Sequence, residues 1–259
     1  YFSCSFCCSS LFLFLFCFFV FFVFVCFFCF FVFFFCVCVF FFFFQAEDGI
    51  RDFCLSRGLG RSRKSMRSVE PVLREAGFGV ARLDYPSTRL RLEAHVATLV
   101  ELMSDLPGTR RVHFVTHSLG GILARRTLAS EDWPGAIEQG RLVMFAPPSQ
   151  GASLARALDA KLGGLFEAVM GPSGRQIAGS GVAPLPTVPF LVVAGSTRGG
   201  RGTNPLIPGD DDGIVGVEET RLPGMAHHVV VDSIHTLVMN HPQAHEAMRT
   251  FLREDRAEG

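Results

Sequence analysis

RRVHFVTHSLGGILARR, residues 110–126, decides the fold. RRVHFVT (110–116) is a short apolar run of the kind that forms a buried strand. LGGILARRTLA (119–129) follows at once and reads as a helix. Between them lies Thr116-His117-Ser118-Leu119-Gly120, a near match to G-x-S-x-G in the strand–turn–helix setting that pattern requires. Such a turn is sharp and lifts the serine hydroxyl above the sheet. Side chains two positions either side must be small, because strand and helix pass close together there. Gly120 and Gly121 satisfy this, whereas Thr116 stands where glycine is usual. The N-terminus of the helix faces the serine and favours negative charge developing beside it.

Working outward, strand and helix patterns alternate. SRKSMRSVEPVLREAG (62–77) has helical spacing, with Pro71 predicting a kink or a late start. FGVARLD (78–84) reads as a strand, 92–106 as a helix, GRLVMFA (140–146) and VPFLVVAG (188–195) as strands, HHVVVD (227–232) as a last strand and 242–254 as a last helix. This alternation predicts an α/β fold: a mostly parallel sheet covered by helices on both faces. The longer stretch 149–186 is where a small cap would sit. Its patch Leu162, Leu165, Phe166, Val169 and Met170 is core or cap packing, with an acyl-binding wall as the minority alternative.

A serine nucleophile needs a base, and the base an orienting acid. In this setting the chain order is Ser, then Asp or Glu, then His. IPGDDDGIV (207–215) follows the strand at 188–195 and offers Asp212, with Asp211 and Asp210 in reserve. DSIHTLVMNHP (232–242) offers His235, central in its connection, and His241 at the start of the helix. His117 reads as a pocket wall rather than a base, and His227 and His228 as strand-end residues rather than metal ligands.

With THSLGG (116–121), DYPS (84–87), APPSQGAS (146–153), DDG (211–213) and His235 in this order, residues 58–259 resemble an α/β-hydrolase, most like bacterial lipase- and esterase-type members. The resemblance implies ester hydrolysis through an acyl-enzyme, a small-molecule ester or lipid substrate, and no cofactor or metal. GLGRS (58–62) is similar to the oxyanion loop of that family, which implies the backbone N–H groups of Leu59 and Leu119 as oxyanion donors. Arg57 stands where the family has His-Gly. Thioesters and amides are open to the same residues, and a catalytically inactive binding protein on this fold is the alternative from another class.

The first 57 residues read differently. Residues 1–44 contain only Tyr, Phe, Ser, Cys, Leu and Val. As an apolar run, 11–44 is long enough to span a bilayer, which takes about 20 residues. It is too long, and lacks the basic start, for a signal peptide. Each of those residue types has a codon at most one base from TTT. QAEDGIRD (45–52) can be encoded by CAA GCA GAA GAC GGC ATA CGA GAT, which looks like a sequencing flow-cell adapter. Residues 1–57 are therefore expected to be foreign to the protein, with the first strands of the fold missing; a transmembrane anchor is the alternative. The expected structure has residues 1–35 packing little against the rest, 45–57 irregular, and Gly58–Arg61 beside Ser118. Genomic DNA upstream of codon 58 decides between the two.

All nine cysteines (Cys4, Cys7, Cys8, Cys17, Cys26, Cys29, Cys36, Cys38 and Cys54) fall in that segment. No His or carboxylate accompanies the spacing of Cys26, Cys29, Cys36 and Cys38, so a metal site is not read there. The chain carries 24 basic and 24 acidic residues, a balance that gives no signal for nucleic acid or an anionic surface. The compartment stays open: cytoplasmic by default, membrane-bound only if 11–44 is an anchor.

Overall fold

The computed structural model describes residues 39–44, 68–84, 92–106, 108–162 and 183–257. These lie within one compact unit, Val37–Gly259. In chain order the elements are β1 (Val39–Phe44), α1 (Val69–Glu75), β2 (Gly79–Asp84), α2 (Leu92–Ser104), β3 (Arg111–His117), α3 (Leu119–Leu128), β4 (Glu138–Phe145), α4 (Ser153–Leu162), β5 (Phe190–Ser196), β6 (His227–Asp232) and α5 (Pro242–Ala257). Most agree with the sequence patterns to within a residue or two. The first helix starts late, at Val69, which places Pro71 in its first turn, where a missing N–H costs no intrahelical bond. Residues 1–35 and 45–57, the Gly58–Arg61 loop with Leu59, and Leu165–Met170 of the cap patch lie outside the described residues.

Among the described residues the sheet has six strands in the order β2-β1-β3-β4-β5-β6. From β3 to β6 all pairings are parallel. β1 runs antiparallel to both neighbours, with Phe42 opposite Ala81 on one side and Phe114 on the other. The sheet therefore includes six residues that precede the sequence boundary at Gly58. Aromatic and β-branched residues favour strands, so the sequence of β1 suits its place in the sheet.

Alternation along the strands builds two cores, one per face. Phe114, Leu142, Met144 and Val192 point to one side, where Leu92, Leu99, Met103, Ile122 and Leu123 of α2 and α3 cover them. Val115, Val143, Phe145, Leu191 and Val193 point to the other, against Val69 and Leu73 of α1 and Met248, Phe251 and Leu252 of α5. Each fully buried aliphatic or aromatic side chain contributes about 1.5–3 kcal/mol. The result is a three-layer sandwich whose strand ends β3, β5 and β6 all point the same way. Residues just beyond those ends are brought together, and that is where the site lies.

Candidate active site

Ser118 is the residue between β3 and α3, and its backbone sits at φ 55, ψ −126. A non-glycine residue at such a positive φ costs roughly 1–3 kcal/mol and persists only where its surroundings impose it. The surroundings here are visible. The Ser118 N–H donates to the Phe145 carbonyl at 2.8 Å, and the Ser118 carbonyl accepts from the Gly121 N–H at 3.0 Å. A Cβ on Gly121 would stand 3.0 Å from Met144 Sδ and 3.1 Å from Pro147 Cβ, so the helix packs against the end of β4 with no room for a side chain. Ser118 occupies the N-cap position of α3, yet its side chain makes no capping bond. Capping by serine goes with a β-region backbone, which Ser118 does not have, and its hydroxyl stays out of the cap.

Thr116 explains its own departure from glycine. It is fully buried, and its hydroxyl donates to the Val143 carbonyl at 3.2 Å. The methyl group fills core while the hydroxyl is satisfied by the neighbouring strand.

The sequence offered three consecutive aspartates, and the structure separates them. Asp212 is buried, and its Oδ2 accepts from His235 Nδ1 at 2.8 Å. Its Oδ1 accepts from the N–H groups of Ile214 and Val215, at 3.0 and 2.8 Å. Three donors thus converge on one carboxylate. Asp211 is buried as well but turned inward. It takes the N–H groups of Thr203, Asn204 and Gly213, at distances from 2.7 to 3.3 Å, and so holds the loop that follows β5. Asp210 reaches neither partner: its carbonyl accepts the Val217 N–H, which closes the small hairpin around Asp212.

His235 is buried, and its backbone N–H donates to the Asp212 carbonyl at 2.9 Å. Because Nδ1 carries the proton given to Asp212, Nε2 is left as the acceptor. His241, the rival base, is used locally: its Nδ1 accepts from the Gln243 N–H at 3.2 Å at the start of α5. No hydrogen bond joins Ser118 Oγ to His235 among the described residues; catalytic hydrogen bonds often form only with substrate bound.

Two contributors went unread in the sequence. Gly195, near the end of β5, lies so close to the acid loop that a Cβ there would be 2.7 Å from Asp212 Cβ and 2.7 Å from the Ser233 carbonyl. A lone glycine inside an apolar strand was the available signal. Arg125 of α3 is buried and donates to the carbonyls of Ser149 (3.4 Å), Pro184 (2.8 Å) and Ala183, at the two ends of the 149–186 stretch. Burial pushes its pKa down to about 10, still fully charged at neutral pH. Among the described residues, no three His, Cys, Asp or Glu side chains are grouped to hold a metal ion, and no helix is long and apolar enough to cross a membrane.

Solved structures share this architecture. The mature form of the lipase BlEst2 from Bacillus licheniformis superposes with a TM-score of 0.56 at 14% identity, over 80% of this chain and 94% of that one. Its propeptide form gives 0.54 at 16% identity, over 77% of this chain and 50% of that one. A bromoperoxidase from Bacillus anthracis gives 0.50 at 14% identity, over 84% and 96%. No protein-family model matches the sequence, and no curated protein matches it either. At these identities the likeness is one of fold: the chain carries the α/β-hydrolase fold, a mostly parallel sheet flanked by helices.

Proposed function

We propose that this chain is a serine hydrolase that cleaves carboxylic esters of small molecules or lipids, with Ser118 as nucleophile, His235 as general base and Asp212 as the acid that orients it. The observation that carries this reading is the buried Asp212–His235 pair at 2.8 Å, next to a serine held at positive φ on the turn into a helix. Ser118 Oγ would attack the ester carbonyl while His235 Nε2 takes its proton. The negative charge that develops on the carbonyl oxygen would lie at the N-terminus of α3, facing the Leu119 N–H, with Leu59 as the expected second donor. Collapse breaks the bond to the alcohol, which leaves with the proton from His235. Water, deprotonated by the same imidazole, then attacks the acyl-serine and releases the acid. Asp212 keeps Nδ1 protonated throughout and stabilises the imidazolium. Ile234 and Leu237, both about half exposed, lie close to His235 in the chain and leave apolar surface on the connection that carries it. This agrees with an ester whose acyl or alcohol part is apolar.

The full chain should label with a fluorophosphonate probe, and Ser118→Ala should abolish both labelling and hydrolysis of short p-nitrophenyl esters. Turnover should fall by about 10⁴–10⁶-fold. The missing Ser118–His235 hydrogen bond favours one competitor, an inactive binding protein on this fold. That reading is right if the folded chain neither labels nor turns over.

A further inference from the structure

His117 is a buried imidazole beside the site that this mechanism leaves without a task. It ends β3, directly before Ser118, and it is almost wholly enclosed. Its Nε2 lies 2.9 Å from the backbone carbonyl of His235. The two rings are 4.7 Å apart between centroids and tilted by 47°. A carbonyl can only accept, so the His117 Nε2 carries the hydrogen and donates it.

This bond completes a set. The N–H of His235 is held by the Asp212 carbonyl at 2.9 Å, its Nδ1 by the Asp212 carboxylate at 2.8 Å, and its C=O by His117. Asp212 fixes one side of the residue and His117 the other. We infer that His117 is a positioning residue: its Nε2–H pins the backbone of His235 so that the imidazole stays aligned between Asp212 and the turn that carries Ser118. This rests on the triad reading above. Enclosure also keeps His117 neutral: desolvation, and then the nearby His235, pull its pKa well below the ordinary 6.5, against a smaller opposing effect of the hydrogen bond itself. A neutral neighbour does not repel the imidazolium that His235 becomes during the proposed reaction.

A group that merely filled space would be judged by its volume, whereas a positioning donor is judged by where its N–H stands. Two amide variants separate these. His117→Gln places an amide nitrogen near the former Nε2, and His117→Asn places one near the former Nδ1. Thermal midpoints identify the folded variants. Gln should hold kcat within about threefold of wild type. Asn, and His117→Leu where it folds, should lower kcat roughly 10- to 100-fold, the scale of a small misplacement of a reacting group, with KM changed less than about threefold. Equal kcat in Gln and Asn overturns the inference, whether both are high or both are low.

A second readout does not depend on turnover. The proton shared by His235 Nδ1 and Asp212 should give a downfield proton NMR signal in wild type and Gln, broadened or lost in Asn. A signal unchanged in Asn sinks the inference even if the protein proves inactive. Absence of Ser118-dependent turnover in wild type, with that signal behaving as expected, sinks the hydrolase reading and leaves the positioning role standing.

Discussion

Strands β1 and β3 are neighbours in one sheet, paired from Phe40–Thr116 to Phe44–Val112, and they are written in opposite ways. β3 reads Arg-Val-His-Phe-Val-Thr-His, and nearly every position has its own duty. Phe114 packs edge-on against Trp133, His113 Nδ1 accepts the Arg141 N–H, Thr116 bonds Val143, and His117 holds His235. β1 reads Val-Phe-Phe-Phe-Phe-Phe. Because the side-chain period of a strand is two, a run of one residue type looks almost the same after a shift of register or a reversal of direction. β1 is also the strand that runs against its neighbours. The difference teaches that continuity of a sheet asks only for strand-forming apolar residues, whereas a site asks for a particular residue at a particular step.

The sharpest way to break this comparison is at the acid. Asp212→Asn should lower kcat about 10⁴-fold, because the amide disturbs the tautomer and orientation of His235. Asp211→Asn should leave most of kcat and instead loosen the loop after β5, read as a lower denaturation midpoint. Similar kinetic losses in both would mean that the residues beyond β5 act as a block rather than one by one.

The next test falls on β1. Phe42→Pro removes a strand N–H between two neighbours and leaves an acceptor unpaired, at a cost of roughly 1–3 kcal/mol for that group alone. Exchanging Val39 and Phe41 should cost well under that, because the composition is unchanged and the run specifies little register. A denaturation midpoint indifferent to the proline would remove β1 from the sheet. One as sensitive to the exchange as to the proline would show that order matters in β1 after all.

Much of this was legible because local pattern and global fold agree. The strand–turn–helix around Ser118 announces itself in seventeen residues, and the order Ser, Asp, His points to Asp212 and His235, which share a hydrogen bond in the structure. The choice among Asp210, Asp211 and Asp212 could not be read with the same force. Asp212 leads in sequence only as the one followed by glycine, and it is the hydrogen bonds of the loop that turn Asp211 inward and Asp212 towards His235. The roles of Gly195 and His117 were hidden for a related reason: both act on residues that arrive from distant parts of the chain. β1 is not legible as a strand because the segment that holds it reads as foreign from its codon alphabet, and its uniform composition carries no period to set against that.

Gly195 gives a smaller effect. Alanine there must displace the Asp212 Cβ, the Ser233 carbonyl or Val238 Cγ2, each 2.7 Å from the added carbon. Overpacking of this kind costs about 1–3 kcal/mol. Since Asp212 is one of the displaced groups, kcat should fall together with the denaturation midpoint. Gly199→Ala in the loop after β5 meets nothing within 4 Å, although its φ of +66° makes alanine strained there. It should move the midpoint without moving kcat. Equal kinetic losses in the two would point to loop strain rather than to contact with the acid.

The smallest expected effect is a dependence of stability on pH that follows from where His117 sits. Its pKa in the folded chain is well below 6.5, chiefly through desolvation, while in the unfolded chain it takes up a proton near 6.5. Below that pH the unfolded state therefore binds a proton that the folded state refuses, and stability falls as pH falls. The stabilisation is fully present above 6.5 and is lost on the way down towards the folded-state value. His95 and His228 are shifted in the same direction by burial and add to the slope, so the wild-type curve alone cannot isolate His117. The comparison with His117→Gln can, because glutamine does not titrate. Because the unfolded group is only half protonated at pH 6.5, one such proton is worth at most about 1 kcal/mol between pH 6.5 and 5.5, so wild type should lose up to that much more than the variant over this unit. Denaturation midpoints at several pH values decide the matter. Parallel curves for wild type and variant would mean that His117 protonates in the folded chain as readily as in the unfolded one, and that a charged imidazole can share the enclosure of His235.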